Sequence, residues 1–177
     1  MKEVTDKNFG MVIAFMLPGF ILAWSLTLPF PALGKFFQFD AAKETASIGG
    51  FLNISLASLA LGLQISAVRW ALLDRLLSRG LPDIDFSSLK DKDVFGSFIG
   101  VVENHYRYYQ YYSNSFVAVA FGYTGYLISE RHWGLGWVTV ITGGLLIILY
   151  LASKDCLKKY HRRGAEITKA KAGGATA

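Results

Sequence analysis

Four stretches of this chain contain no Asp, Glu, Lys, Arg or His: residues 8–34, 45–68, 108–129 and 133–153. They are 27, 24, 22 and 21 residues long and together occupy 94 of the 177 positions. A soluble domain gives each helix or strand a wet face, so charge recurs every few residues. Runs of this length fit a different solvent, because a helix needs roughly 20 apolar residues to cross a hydrocarbon layer of ~30 Å. The composition agrees, with 53% hydrophobic and 15% aromatic residues against 18% charged. An ordinary soluble enzyme, a disordered chain and a coiled coil are all excluded on these grounds. The expected fold class is all-α: a polytopic integral membrane protein with four transmembrane helices and short cytoplasmic helical extensions. It forms a single membrane domain over residues 1–177, with spans near 10–30, 47–68, 108–129 and 133–153, a cytoplasmic helical loop over 69–107 and a basic tail over 154–177.

Orientation follows from where the basic residues lie, since Lys and Arg in short loops stay on the cytoplasmic side. With both termini inside, residues 1–7, 69–107 and the tail place 15 Lys and Arg inside, against 3 in the segments 35–44 and 130–132 outside. The expected location is a bacterial inner membrane, multi-pass. A cleaved signal sequence is the alternative for the first stretch, and Ala32-Leu33-Gly34 loosely matches a cleavage site. Against it, the apolar run exceeds the usual 7–15 residues, and Lys2 and Lys7 are offset by Glu3 and Asp6.

The first span carries Pro18-Gly19 inside it and ends at Pro29 and Pro31. A proline there frees a backbone carbonyl that a neighbouring helix must satisfy, and a static kink is expected rather than a hinge. The second span continues past Val68 through Arg69 to Leu77 and stops at Gly80 and Pro82. In the loop leading to the third span, Phe95, Ile99, Val102, Tyr106 and Tyr109 recur as on one face of an amphipathic helix. The fourth leaves the membrane near Ala152 and continues through Tyr160. The three extensions predict a stalk on the order of 15–20 Å tall. Outer connections are short, around Phe36-Phe37-Gln38-Phe39 and Glu130-Arg131-His132.

The second span has two polar sectors. Asn53, Ala57, Ala60 and Gln64 cluster on one side, and Ser55, Ser58, Gly62 and Ser66 on the opposite side. Small residues four apart let helices approach closely, whereas Asn and Gln need partners inside a membrane. A monomeric bundle with a central helix explains both sectors. The sharper reading packs one sector within the protomer and turns the other to an oligomeric pore or a subunit contact, with Asn53, Ala57, Ala60 and Gln64 as pore-lining candidates. Ala118/Gly122 and Thr139/Gly143 repeat the small-residue spacing within the membrane, and Gly96/Gly100 outside it.

The densest run is Glu103-Asn104-His105-Tyr106-Arg107-Tyr108-Tyr109-Gln110-Tyr111-Tyr112-Ser113-Asn114. An interfacial aromatic belt accounts for its tyrosines. Glu103, His105, Arg107, Gln110 and Asn114 call for more: either a structural polar network or a ligand site facing Arg69, Asp74, Arg75 and Arg79. The formal charge of +5 resides in the tail, where Lys154, Lys158, Lys159, Arg162 and Arg163 lie close to the inner surface. Anionic lipid is the simplest partner for them, and an anionic cytoplasmic ligand such as a nucleotide or oligonucleotide is the alternative. His132 and His161 read as solvated, and Cys156 cannot form an intrachain disulfide because it is the single cysteine.

Enzyme signatures are missing. There is no H-E-x-x-H, G-x-S-x-G, phosphate-binding glycine loop or metal-spaced Cys/His cluster, so no catalytic residue, metal or cofactor is expected. No carboxylate lies inside a span, which counts against proton-coupled transport. A pore needs none, since polar rings and an apolar constriction suffice.

Met16-Leu17-Pro18-Gly19-Phe20, Arg69-Trp70 with Asp74, and His105-Tyr106-Arg107-Tyr108-Tyr109-Gln110 together resemble a group of small four-helix bacterial membrane proteins. The plan is similar to that of channel-type membrane effectors of anti-phage systems. That resemblance implies a homo-oligomeric channel opened by a nucleotide or oligonucleotide signal. The function expected of the chain is therefore a ligand-gated pore, with a non-conducting accessory or scaffold protein and a small-molecule transporter as alternatives.

Overall fold

The computed structural model describes residues 10, 12–36, 48–130 and 136–174, and every regular element among them is helical. Helix α1 covers Val12–Leu26, opening with a wide π turn over Val12–Met16. A short α2 follows at Pro31–Phe36. Helix α3 runs from Ile48 to Leu77 without interruption and contains a second π turn at Trp70–Asp74. Gly80, with φ of 75°, breaks it in the left-handed region that only glycine enters cheaply. After a 3₁₀ turn at Phe86–Lys90, α4 (Lys92–Val101) passes through a third π turn, Val102–Tyr106, into α5 (Arg107–Glu130). Helix α6, Trp137–Gly174, has 38 residues and is about 57 Å long at 1.5 Å per residue. The start of α4 is set by Asp91, whose carboxylate accepts from the backbone N–H of Asp93 at 2.9 Å and of Val94 at 3.3 Å.

The long helices alternate in direction. Gly19 of α1 lies against Ser58 of α3 so closely that a Cβ on it would sit 1.7 Å from the Ser58 carbonyl oxygen. Further along, a Cβ on Gly62 would sit 2.0 Å from the Phe15 carbonyl oxygen, so the contact is reciprocal and antiparallel. Helix α5 runs parallel to α1, with Gly122 against Ser25 and Gly125 against Pro29. Helix α6 returns along α5, where Tyr123 Oη donates to Thr139 Oγ1 at 2.8 Å and Phe116 meets Tyr150. The result is an up-down-up-down bundle. Its middle is filled by Ile65, Val117 and Ala118 with Ile21 and Leu22, and its lower end by Leu77, Tyr109 and Leu157. Below that end α6 continues as a stalk, where Val94, Phe98 and Val101 of α4 are buried and Gly164 admits Ile84 and Phe98.

Pro18 lacks the N–H that would serve the carbonyl of Ala14 four residues earlier. Asn114 of α5 supplies the missing donor, its Nδ2 lying 2.7 Å from the Ala14 oxygen, with both residues buried. Pro18 itself is buried, and Gly19 is locked against α3.

Two helices, Ile48–Leu77 and Trp137–Lys169, are long and apolar enough to cross a membrane. Only 17% of each apolar window is buried, unlike the core helix of a soluble fold. Phe51, Leu52, Leu56 and Leu63 of α3 and Ile141, Ile147, Ile148 and Leu151 of α6 all stand exposed. Helix α1 is apolar but stops at Leu26, four residues before the expected end at Phe30; Thr27 turns back to hydrogen-bond Trp24 O, and Pro29 and Pro31 remove the next donors. Helix α5 has the length of a span, but Gln110, Ser113, Asn114 and its tyrosines lower its hydropathy.

The amphipathic face of the loop also departs from the expected one. Phe95 is exposed, and the buried residues are Val94, Phe98 and Val101. The spacing from Phe95 to Tyr109 presumes an unbroken α-helix. The π turn at Val102–Tyr106 takes one extra residue, so the face that continues onto Tyr109 starts one position earlier. The stalk part of α6, Lys154 to Gly174, is about 30 Å long, taller than expected. The segments 1–7, 37–39 and 131–132 and the last three residues lie outside the described residues.

Replacing Asn114 with Leu leaves the Ala14 carbonyl buried and unsatisfied. The expected cost is about 1–3 kcal/mol, read as a lowered midpoint in thermal or denaturant unfolding of the detergent-solubilised protein. Asn114→Gln should recover part of the loss.

Candidate functional site

The polar residues of the bundle concentrate at its lower end, where two of the π turns contribute side chains to one cleft. A π turn re-aims side chains by inserting a residue. In α3 this brings Asp74 inward, onto the same side as the buried Arg69. The Asp74 carboxylate accepts a hydrogen bond from Tyr109 Oη of α5 and lies 3.3 Å from Arg69 Nε. The Arg69 guanidinium stands over the Tyr109 ring, 5.3 Å from its centroid. Arg69 is only 4% exposed, and its Nε and Nη1 have no hydrogen-bond acceptor. A guanidinium so far from water is held by the carboxylate beside it and the π face below it.

Beside this triad a cleft of ≈ 400 Å³ opens. One wall is α3, with Trp70, Asp74, Arg75 and Ser78. The opposite wall carries Tyr106 and Tyr109, and α6 closes it with Leu157, Tyr160 and His161. The aromatic groups brace one another: Tyr106 lies 4.9 Å from Tyr160 and 5.9 Å from Tyr109, and Arg75 stacks over Trp70 at 5.5 Å. His161 Nδ1 lies 3.0 Å from the Pro82 carbonyl oxygen, which ties the chain after Gly80 back to α6. His161 is thus half-buried and bonded, not solvated as its sequence position implied; His132 lies outside the described residues.

The residues singled out from the sequence divide into separate places. Arg69, Asp74 and Arg75 gather at the cleft. Arg79 is exposed beyond it. Arg107 turns the other way, towards Gly10 ahead of α1, and pairs with Glu103 at 3.7 Å. Asn114 also faces α1, and Gln110 is half-buried. His105 stands opposite α6 with its Nε2 buried and without a hydrogen-bond partner. Lys154, Lys158, Lys159, Arg162 and Arg163 are all exposed along α6; Lys159 pairs with Asp155 at 2.6 Å and Arg162 with Glu166 at 3.8 Å. On α3, Ser58 and Gly62 are sealed against α1, while on the opposite sector Asn53 and Ala57 are half-buried and Ala60 and Gln64 exposed.

Sequence reasoning passed over Tyr109, Tyr106, Tyr160 and Trp70 as parts of a site. Tyr109 and Asp74 are 35 positions apart, and one tyrosine among five in an interfacial run carries no mark of its partner. A carboxylate at the end of an apolar helix was the available signal. Burial pushes the Cys156 thiol up, which keeps it in the unreactive form. Among the described residues no group of His, Cys, Asp or Glu side chains could hold a metal ion. Comparison of the chain with protein-family models, curated proteins and solved structures returns no match.

His105 gives a pH dependence. Loss of water around it, and then the charges of Arg163 and Lys159 on α6, hold its pKa below the ordinary 6.5, with Asp155 opposing them. The unfolded chain takes up a proton near 6.5 and the folded chain does not, so stability is complete above that pH and falls as pH drops below it. Thermal unfolding across a pH series should show this acid-side loss, and His105→Gln should remove it.

Proposed function

We propose that the chain is a multi-pass membrane protein that assembles with copies of itself into a pore. Both termini lie in the cytoplasm of a bacterium, and all four long helices of the bundle take part in crossing the inner membrane. The exposed apolar side chains of α3 and α6 support this, because a lipid-facing surface is the setting in which they cost nothing. Helices α1 and α5, one short and one tyrosine-rich, complete the layer by packing against α3 and α6 rather than by hydropathy alone.

One observation carries the pore. The Ser58/Gly62 side of α3 is used up by α1, and the opposite side, ending in the exposed amide of Gln64, stands on the outer surface of the protomer. Inside a bilayer an amide facing acyl chains is costly, and water or a neighbouring subunit relieves it. A ring of copies joined along this sector places Asn53, Ala57, Ala60 and Gln64 around a central lumen. The exposed bases of α6, with Arg75 and Arg79, give the cytoplasmic end a positive field suited to an anionic ligand that biases opening, a nucleotide or oligonucleotide among them, as in the effectors that the chain resembles.

Reconstitution into liposomes tests the proposal. Wild-type protein should support ion flux, and Gln64→Trp should reduce it at least tenfold without changing the oligomer measured in detergent. A stoichiometric complex without flux favours the non-conducting scaffold instead. Truncation of the tail is a poor probe of sensing, because Gly164, Ala165 and Thr168 are buried in the stalk. Joint replacement of Lys158, Arg162 and Arg163 by Gln removes the charge and leaves the packing; ligand-evoked flux should then fall while basal flux persists.

A further inference from the structure

The cleft below the bundle has a charge that its own residues leave unanswered. Asp74 is engaged by Arg69 and by the Tyr109 hydroxyl, so the carboxylate on the wall is neutralised before any ligand arrives. Arg75 differs: it is exposed, stacks on Trp70, and forms no ion pair among the described residues. Ser78 adds a hydroxyl next to it. The cleft therefore offers one free guanidinium, whose planar fork matches a phosphate.

The surroundings narrow the class of anion. Trp70, on the cleft wall, is 61% exposed, and beside the cleft Leu72, three residues before Arg75 on α3, is 59% exposed; Leu76, 60% exposed, continues that outer side of the helix four residues on. These residues lie where α3 passes from its apolar length to its polar end, level with the tyrosines that open α5. A soluble phosphate compound satisfies Arg75 and leaves Leu72 and the indole uncovered. A phosphodiester that carries acyl chains satisfies both. Trp70 and the tyrosines then occupy the depth at which aromatic rings settle between headgroup and chain.

We propose that this cleft is a headgroup site for an anionic phospholipid. Its phosphodiester is held by Arg75 with Ser78, and an acyl chain leaves the cleft past Trp70 and lies along Leu72, towards the apolar length of α3. Because the cleft joins α3, the start of α5 and α6, an occupied site ties together three helices at the top of the stalk. The inference rests on the membrane reading above and on none of its claims about conduction.

The test uses the full chain, extracted in mild detergent and reconstituted into nanodiscs of phosphatidylcholine with or without phosphatidylglycerol. Native mass spectrometry of the wild type should show phosphatidylglycerol retained in preference to phosphatidylcholine. Thermal unfolding should shift upwards with the anionic lipid alone. Arg75→Gln, a change at an exposed position, should weaken that preference about fivefold, the factor expected for one surface base, with helix content and oligomer size unchanged. Leu72→Gln should weaken it too while leaving the charge in place. Equal retention of the two lipids, or a preference unchanged by Arg75→Gln, overturns the proposal. So does equal stabilisation by inorganic phosphate or AMP, which identifies a soluble phosphate as the occupant. Resistance of the chain to alkaline extraction from membranes is scored separately, so loss of lipid preference with that resistance intact defeats the headgroup site and not the membrane reading.

Discussion

The bundle depends on a hydrogen bond between a proline-freed carbonyl and a side-chain amide. Ala14 O has no donor from Pro18, and the Asn114 amide supplies one at 2.7 Å. An unmet carbonyl in an apolar interior costs about 1–3 kcal/mol, so the chain gains by meeting it. Meeting it fixes the depth and rotation of α5 relative to α1. From that fixed point, Ala118 and Gly122 fall against α1, Tyr109 reaches Asp74, and Arg107 reaches Gly10 ahead of α1. Gly19 and Gly62 then set α3 from the other side, at a separation where no Cβ fits.

Much of this was legible in the sequence, and the limits were physical. The charge-free runs located the long helices. Pro18 announced a carbonyl in need of a partner, and Ser58 and Gly62 marked a face for close packing. Asn114 was visible as an amide in need of company, yet nothing local said that its need and that of Pro18 were the same. Boundaries shifted where backbone chemistry outweighed hydropathy, as at Leu26. Faces shifted at the π turns, because a period of 3.6 residues cannot anticipate an inserted one. The cleft was the least legible part. It combines residues from three helices, and its tyrosines look like any interfacial belt until Asp74 selects one of them.

The two ends of the bundle divide the work. Above the middle, the closest contacts are made by glycine and serine, and the outer surface is apolar, aliphatic and aromatic together. Towards the stalk, aromatic stacking and ion pairs take over, and the surface of α6 becomes basic. The buried Arg69 sits at the boundary, where a charge can be held only because a carboxylate and a ring are already in place.

The three wide turns carry a geometrical freedom that a plain helix lacks. Sliding such a turn along the chain by a few positions swings only the side chains it passes, by about 100° each, and leaves the residues before and after it where they were. Helices α3 and α5 can in this way re-aim what they present near Asp74 and Tyr106 while their upper halves stay clamped. The upper and lower parts of the bundle thus meet at a joint built into the backbone itself.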